Sequence, residues 1–464
     1  MNSSASIPAR ASVPAAPRKL WSAGTLTYTT AGLVLLFCWL LWGDFAWSMK
    51  DRAIPPTMQL LLKRFGATDL LTGLIFGSLP SILGLLVGPV VSYRSDRYRS
   101  RWGRRLPFLL AATPFMVLGV AGLGFSPAIG SHADRLLGAH SPGLDSSVLI
   151  SFALFWMVFE MASVVTNAVY GALVNDVVPH ALLGRFYGLF RALSLIAGIV
   201  FNYWIFGHAE TLYFWIFLGI AALYGVGFLL MCLNVKEGSY PSLVPMDAGR
   251  PPGGPIASAQ TYLQECFGNR YYLWFFAASV LSGMANVPFN IFSVFFAKSI
   301  GLGMDTYGKC LALTYLISLL LAYPIGWLVD RFHPLRLTIL CTLLYAVQLV
   351  ASYFFTKDAW TFSVSLVAHG VISGTYGTAS ASLGQRLLPR AEFAQFASAG
   401  GMITAVFWMV LPPGVGFLLD HAHHQYRYTF LMSAALGLAG FAALLVLHAK
   451  FMKLGGLKNY IAPE

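Results

Sequence analysis

Tyr93–Pro107 reads YRSDRYRSRWGRRLP and places six arginines between two long apolar runs. Elsewhere charge is scarce. Only 10% of the 464 residues are Asp, Glu, Lys or Arg, 57% are hydrophobic, and mean hydropathy is +0.68. Soluble domains carry about 25% charged residues. This chain lacks the polar side chains to cover a water-facing surface, so its solvent must be lipid. The net charge of +12 sits mostly in short loops between apolar runs. That placement indicates orientation in a bilayer and argues against nucleic acid as a partner.

A membrane-spanning helix needs about 20 mostly apolar residues. Twelve such runs occur, roughly 29–60, 68–92, 107–126, 148–175, 185–207, 211–233, 270–298, 307–330, 336–356, 359–385, 396–419 and 427–450. The first is too long for one straight span and contains Lys50-Asp51-Arg52 and Pro55-Pro56. It either ends near Met49 or continues outward as a broken helix. A Pro/Gly-rich stretch, KEGSYPSLVPMDAGRPPGGP at 236–255, divides the runs six and six. The expected organisation is a disordered tail over 1–28, a six-helix bundle over 29–233, a linker over 234–269, a second bundle over 270–452 and a tail over 453–464.

With the N-terminus inside, the inner loops and tails hold 20 of the 30 Lys and Arg, the outer loops nine, and Arg191 lies within helix 5. This asymmetry predicts that both termini face the cytoplasm from the cell membrane. The halves also echo each other. Asp96-Arg97 follows helix 2 as Asp330-Arg331 follows helix 8. Asn175-Asp176-Val-Val-Pro179 follows helix 4 as Gln385-Arg386-Leu-Leu-Pro389 follows helix 10. The fold class expected is an all-α integral membrane protein, its twelve transmembrane helices forming two pseudo-symmetric bundles.

The loop Asp96-Arg97-Tyr-Arg-Ser-Arg101-Trp-Gly103-Arg104-Arg105 resembles the helix 2–3 signature of the major facilitator superfamily. The longer string from Ser95 to Phe108, with Ser100 and Pro107, resembles the sucrose/proton symporters and the glycoside–pentoside–hexuronide cation symporters. Phe45-Ala46-Trp47 with Pro56 and Gln59 in helix 1, and Phe155-Trp156, Glu160 and Ala172-Leu173 in helix 4, extend the likeness. It is strongest over 37–190. Sucrose symporters carry arginines where this chain has Leu106 and Gly171, which counts against sucrose itself. Melibiose-type sodium symporters place acids within helix 2, whereas this helix has only Asp69 at its mouth. The resemblance implies symport of a sugar or glycoside with a cation, the proton being expected, by alternating access.

Glu160 falls near the middle of helix 4, where a charge costs about 2.5–3.5 kcal/mol and acids are functional by default. It is the expected proton carrier, with Ser163 and Asn167 on the same helical face. The alternative is a fixed interhelical bond. Arg191 lies about 9 Å beyond Arg185. It can pair with Glu160, hold sugar hydroxyls, or reach back to the headgroups. Asp44, Lys50, Asp51 and Arg52 face a cavity if helix 1 continues; otherwise the last three cap its outer end. Asp44 is inside the apolar run either way, and with Glu160 and Arg191 makes up the expected coupling set.

Trp47, Trp156 and Tyr187 can stack on a sugar ring. Gln59, Asn167, Asn286, Asn290, His369 and Tyr376 complete the expected substrate contacts, although polar stripes can equally join helices. Asp96, Arg97, Arg101, Gly103, Arg104, Arg105, Asp176, Asp330 and Arg331 form an expected gate that locks and releases the halves, or else serve orientation alone. The five cysteines show no CxxC spacing and imply neither disulfides nor zinc. His421, His423 and His424 lack a second cluster, so no metal is expected, nor any cofactor. Hydrolase and nucleotide-binding motifs are missing, which argues against an enzyme. The expected partners are a sugar or glycoside, the proton and the bilayer. Oligomeric state is left open, a monomer being sufficient. Rival readings are an exporter or carrier of another small solute, and a membrane sensor or assembly protein on the same scaffold.

Overall fold

The computed structural model describes residues 20–239, 262–389 and 392–463. The expected tail and linker fall largely on 1–19 and 240–261, outside the described residues. The end of the expected tail is ordered: β1 (Trp21–Ala23) and β2 (Leu26–Tyr28) form an antiparallel hairpin that turns at Gly24, φ 56°. The Ser239 N–H donates to Thr25 Oγ1 at 2.9 Å and ties the hairpin to the chain beyond the sixth helix. Strands of three residues are too short to show a period in sequence.

The first bundle comprises α1 (Thr30–Arg64), α2 (Asp69–Arg97), α3 (Leu106–Leu137), α4 (Leu144–Val177), α5 (Leu183–Val200) and α6 (Ala209–Asn234). The second comprises α7 (Arg270–Ser299), α8 (Met304–Phe332), α9 (Pro334–Phe355), α10 (Ala359–Ser380), α11 (Phe393–His421) and α12 (Tyr428–Lys453). α5 runs into α6 without a loop. A straight helix over His180–Asn234 would measure about 80 Å, far more than the ~30 Å hydrocarbon core. The chain reverses between Phe206 and Leu212, where Leu212 leaves helical geometry at φ −107°, ψ 17°.

α1 answers the first ambiguity. It is one helix of 35 residues, running through Lys50-Asp51-Arg52 and both prolines. Lys50 is buried at 1% exposure. Lys50 faces protein, and Asp51 and Arg52 face a cavity between the bundles, so these charges do not end the span. Lys50 and Arg52 therefore leave the loop count, and the outer loops keep seven Lys and Arg. α7 does break, at Ala285-Asn286, because Pro288 has no N–H and its ring crowds the carbonyl four residues back.

Within the first bundle α3 packs on α4 and α6, α1 on α6, and α2 on α4. In the second, α9 packs on α10 and α12, α7 on α12, and α8 on α10. The same contacts recur six helices later, as a repeated bundle requires. Between bundles, α2 meets α11 and α5 meets α8. A Cβ on Gly73 or Gly77 of α2 would lie 2.4 or 2.5 Å from Pro412 atoms, and one on Gly308 of α8 would lie 2.3 Å from the Asn202 oxygen. Both first-bundle helices widen into π turns here, at Leu74–Ser78 and Phe201–Ile205. Such turns gather at functional sites. These contacts lie toward the membrane face away from the termini. Toward the terminal face, Gly84, Gly88, Gly184, Gly188 and Gly326 have nothing within 4 Å of a Cβ position. The bundles meet at one face and part toward the other.

Candidate functional site

Two adjoining cavities lie on the seam between the bundles, of about 430 and 580 Å³, within the range of about 300–1,000 Å³ typical of small-molecule sites. Asp51, Arg52 and Gln59 of α1, Arg191 of α5, Asn202 of the π turn that follows it, Asn286 and Asn290 of α7, Tyr307 and Tyr315 of α8, and His369 of α10 line the first. The second shares Gln59 and Asn290, and adds Trp156 and Glu160 of α4, Phe76 of α2 and Trp408 of α11. The break in α7 brings Asn286 and Asn290 to this surface. His369 Nε2 is 2.9 Å from Asn290 Oδ1 and its Nδ1 is 3.0 Å from the Tyr345 hydroxyl, so Tyr345 fixes the imidazole and the imidazole holds the asparagine.

Glu160 lies at the centre of α4. Trp156, one turn before it, donates to the Ile75 carbonyl at 3.0 Å, within the π turn of α2. Lys50 acts on Glu160 electrostatically. Lys50 Nζ stands 3.5 Å from Asp51 Oδ1, 3.4 Å from Ser163 Oγ and 3.5 Å above the Trp47 ring. Arg52 donates to the Tyr315 hydroxyl at 3.1 Å and to Ser194 Oγ at 3.3 Å, bridging α1, α5 and α8. The contemplated Glu160–Arg191 pair is not formed. The two line different cavities, and the cation beside Arg191 is Arg52.

Six expected residues lie outside both linings. Tyr187 donates its hydroxyl to Asn175 Oδ1 at 3.1 Å instead. Asp44 is buried inside the first bundle, where it accepts from Ser48 Oγ at 3.5 Å. Trp47 packs on Tyr224 and Phe228. Lys50 sits behind the wall. Asn167 is exposed on α4. Tyr376 turns toward Gly283. Helical spacing placed them on polar faces, but could not say which of two faces looks onto the seam.

The arginine loop folds back onto its own bundle. Glu237 accepts the backbone N–H groups of Arg104, Arg105 and Leu106 at 3.0, 2.8 and 2.7 Å, capping α3. Gly103 has φ 108°, and a Cβ there would lie 2.5 Å from the Glu237 carboxyl carbon, so both conformation and space demand glycine. Arg104 grips Asp176 at 2.7 and 3.1 Å, while Arg105 reaches Asp176 at 3.3 Å, Ser95 at 2.6 Å, and Asp96. Arg97 lies over the Tyr93 ring and Arg101 over Trp102. In the second bundle Arg386 reaches Asp330 at 3.1 Å, and Arg331 lies over Trp327. None of these contacts crosses between the bundles in this state. They join helix ends within one bundle.

We expect Asp176→Asn to cost about 3 kcal/mol, because it strips the acid from two largely buried arginines. Asp330→Asn, with its carboxylate 78% exposed, should cost about 0–1 kcal/mol. Thermal unfolding in detergent would compare the two, and equal losses would contradict this account.

The lock between bundles lies elsewhere, at the face away from the termini, and was not anticipated from sequence. Asp420 of α11 accepts the N–H groups of Asp69 and Leu70 at 2.9 Å each, capping α2 across the seam. Asp69, fully buried, receives His424 Nδ1 at 2.7 Å and the Tyr426 hydroxyl at 3.0 Å. Lys63 donates to that hydroxyl at 2.7 Å. Burial, then the Asp69 carboxylate, pushes the Tyr426 hydroxyl above the ordinary tyrosine range, so it keeps the proton it donates. Asp69, Asp420 and His424 place possible ligand atoms within 4.8 Å of one another. The histidine run thus meets, besides its sequence neighbour Asp420, the distant acid Asp69, which its own stretch of sequence did not disclose.

A model of the MFS/sugar transport proteins matches residues 60–419, most of the chain. The chain belongs to this family. Within this transporter family the curated similarities are short. Sucrose transport protein SUT1 of Oryza sativa subsp. japonica is 35% identical over 19% of this chain and 15% of its own length. Sucrose transport protein SUC4 of Arabidopsis thaliana is 25% identical over 36% of this chain and 33% of its own. The matched stretches thus span a third or less of these relatives. Among solved structures, a bacterial homolog of the human lysosomal transporter Spinster superposes with TM-score 0.66 at 12% identity, covering 94% of this chain and all of that one. A D-xylose–proton symporter gives 0.61 at 13% identity, over 92% and 98%. These likenesses establish the fold, an all-α membrane fold of the major facilitator kind.

Proposed function

We propose that this chain carries a sugar or glycoside together with a proton, by alternating access. One observation carries the reading. An acid at the centre of a membrane helix, Glu160, borders a seam cavity that adjoins a chamber rich in hydrogen-bonding side chains. A proton carrier must be reachable from the site whose loading it governs, and an acid at that depth has a high cost to justify. Gln59, Asn286 and Asn290 suit sugar hydroxyls, with His369 orienting Asn290. The sucrose transport relatives support a sugar as cargo, and the D-xylose–proton symporter lends the same fold to proton coupling.

The terminal face is the cytoplasmic one on this reading, from the Lys and Arg distribution. The state described is then open to the cytoplasm and closed outside by Asp69, Asp420, His424 and Tyr426. The bodies that rock are the bundles over 29–233 and 270–452. The salt bridges at their cytoplasmic helix ends keep each rigid while the outer lock opens and closes.

The test is uptake by purified protein in proteoliposomes under an inward proton gradient, with mono- and disaccharides and glycosides as cargo. Accumulation that collapses with a protonophore is the expected result. Uptake that follows sodium instead would overturn the proton. Folded protein that moves no sugar would overturn the cargo.

A further inference from the structure

We propose that the lock between the bundles is also a metal site, in which Asp69, Asp420 and His424 hold a divalent transition-metal ion such as Zn²⁺ that pins the face away from the termini shut. This goes beyond the cargo reading, and neither depends on the other.

In sequence, His421, His423 and His424 have only Asp420 beside them. Folding adds Asp69 from the other bundle, and ligand atoms of Asp69, Asp420 and His424 come within 4.8 Å of one another. His424 Nδ1 is 2.7 Å from Asp69 Oδ2 and 3.7 Å from Asp420 Oδ1. Ligands of a tetrahedral zinc stand about 2.0–2.2 Å from the metal, and so about 3.4 Å from each other. The two gaps bracket that value, and the His424 side chain, half exposed, has room to adjust. The contact with Asp69 is now made by a proton on Nδ1. With that proton moved to Nε2, the Nδ1 lone pair is free, and the metal takes the proton's place between imidazole and carboxylate. His421 takes no part, since its Nδ1 bonds to the Phe417 carbonyl at 2.9 Å.

The carboxylates are already aimed. Asp420 accepts the N–H groups of Asp69 and Leu70, one on each oxygen, and Asp69 Oδ1 accepts the Tyr426 hydroxyl at 3.0 Å. Each oxygen keeps a second lone pair. Outer partners of this kind orient the ligands of metal sites. Charge also calls for a cation. Asp69 is fully buried, and among the described residues no Lys or Arg comes within 4.0 Å of either carboxylate. Lys63 reaches the Tyr426 hydroxyl instead. One imidazole and two carboxylates, with a position left for water, suit zinc and its neighbours, whereas calcium and magnesium require more oxygens.

Asp69 opens α2 in the first bundle, and Asp420 lies at the end of α11 in the second. The site is therefore whole only while the bundles are closed here. An ion that binds one state shifts the balance toward it, about 100-fold at 100 times its Kd. Metal arriving at this face thus arrests the carrier with the opposite side open.

The full chain in detergent, free of any tag and stripped with EDTA, would be titrated with ZnCl2 in a calorimeter. One ion per chain is expected. His424→Ala and Asp420→Asn should each weaken binding by about 100-fold, since losing even an outer partner costs about 10–100-fold. His423→Ala should leave the affinity unchanged, and CaCl2 and MgCl2 should not compete. With the five native cysteines replaced, Ser78→Cys on the closed seam reports the state. ZnCl2 at about 10 times its Kd should slow its reaction with maleimide about tenfold, and should not when His424→Ala is added. Binding that survives both ligand variants, or that falls with His423→Ala, would give the ion to the surface histidines and overturn the site. Competition by calcium or magnesium would overturn the class of metal. No binding by folded protein would overturn the site outright, and labelling that ZnCl2 leaves unchanged would overturn the lock. Neither readout needs cargo, so a failed uptake assay would leave the result standing.

Discussion

Glu160→Gln is expected to abolish accumulation driven by the proton gradient. An inward gradient of two pH units stores about 2.7 kcal/mol per proton, enough for about 100-fold accumulation at one proton per cargo molecule. The amide keeps the size of the carboxyl and one acceptor oxygen but cannot gain or lose a proton. The variant should therefore bring cargo only to equal concentrations on the two sides, a loss of about 100-fold in the final ratio. Exchange of preloaded cargo for external cargo should continue, because it needs the bundles to rock but not the proton to leave. Glu160 also shares Lys50 with Asp51, so Asp51→Asn is the informative companion. If Glu160→Gln still accumulates cargo and Asp51→Asn does not, the proton rides on α1 instead.

The second large effect concerns closure of the face away from the termini. A Cβ on Gly416 of α11 would lie 2.2 Å from the Asp69 carbonyl oxygen and 2.5 Å from its carbon. Those atoms are backbone and cannot swing aside as a flexible side chain would. Gly416→Val should keep α2 and α11 apart, break the caps and bonds around Asp69, and stop transport altogether. Gly414→Val, two residues away, meets nothing within 4 Å of its Cβ and is the matched control. A cysteine at Ser78, whose hydroxyl donates to the Met409 carbonyl at 2.5 Å on the closed seam, reports the state. With the five native cysteines replaced, it should react with a membrane-impermeant maleimide readily in Gly416→Val and slowly in the control. Undiminished transport by Gly416→Val would show that the helices need not approach this closely in the cycle.

The outline of the fold was legible because lipid imposes one rule along the whole chain. Backbone polar groups must be satisfied internally, so every span is a helix about 20 residues long, and its apolar run is visible without knowing its neighbours. The runs beginning near 107 and 148 lengthen to Leu106–Leu137 and Leu144–Val177, since helices extend past the hydrocarbon where polar residues such as Asp134 and Asp145 are tolerated. The arginine loop was legible as a unit, but Gly103 was read only as part of the gate, and its positive φ and the Glu237 carboxyl beside it came from the structure. The loop's partner Glu237 was not legible, because it lies 133 residues away from Arg104.

The cavity was half legible. Asp51, Arg52, Gln59, Glu160, Arg191, Asn286, Asn290 and His369 line it as their depth suggested, while Asp44, Trp47 and Asn167 sit at similar depths and face elsewhere. Depth is a property of position along one helix. Facing depends on the rotation of that helix against others, which α1 sets by packing on α5 and α6. Tyr315 had no signal at all in a chain with 21 tyrosines, and its role arises only because Arg52 reaches it across the seam.

Sequence alone determined the solvent, the number of spans, the repeat and the depth of Asp44 and Glu160, because each depends on local composition measured against a slab of fixed thickness. Tertiary structure alone decided that α1 continues through Lys50-Asp51-Arg52, that the arginine loop braces one bundle, and that Asp69, Asp420, His424 and Tyr426 close the seam. Each of these depends on a partner supplied by a distant helix, and the interaction exists only once the two surfaces have met.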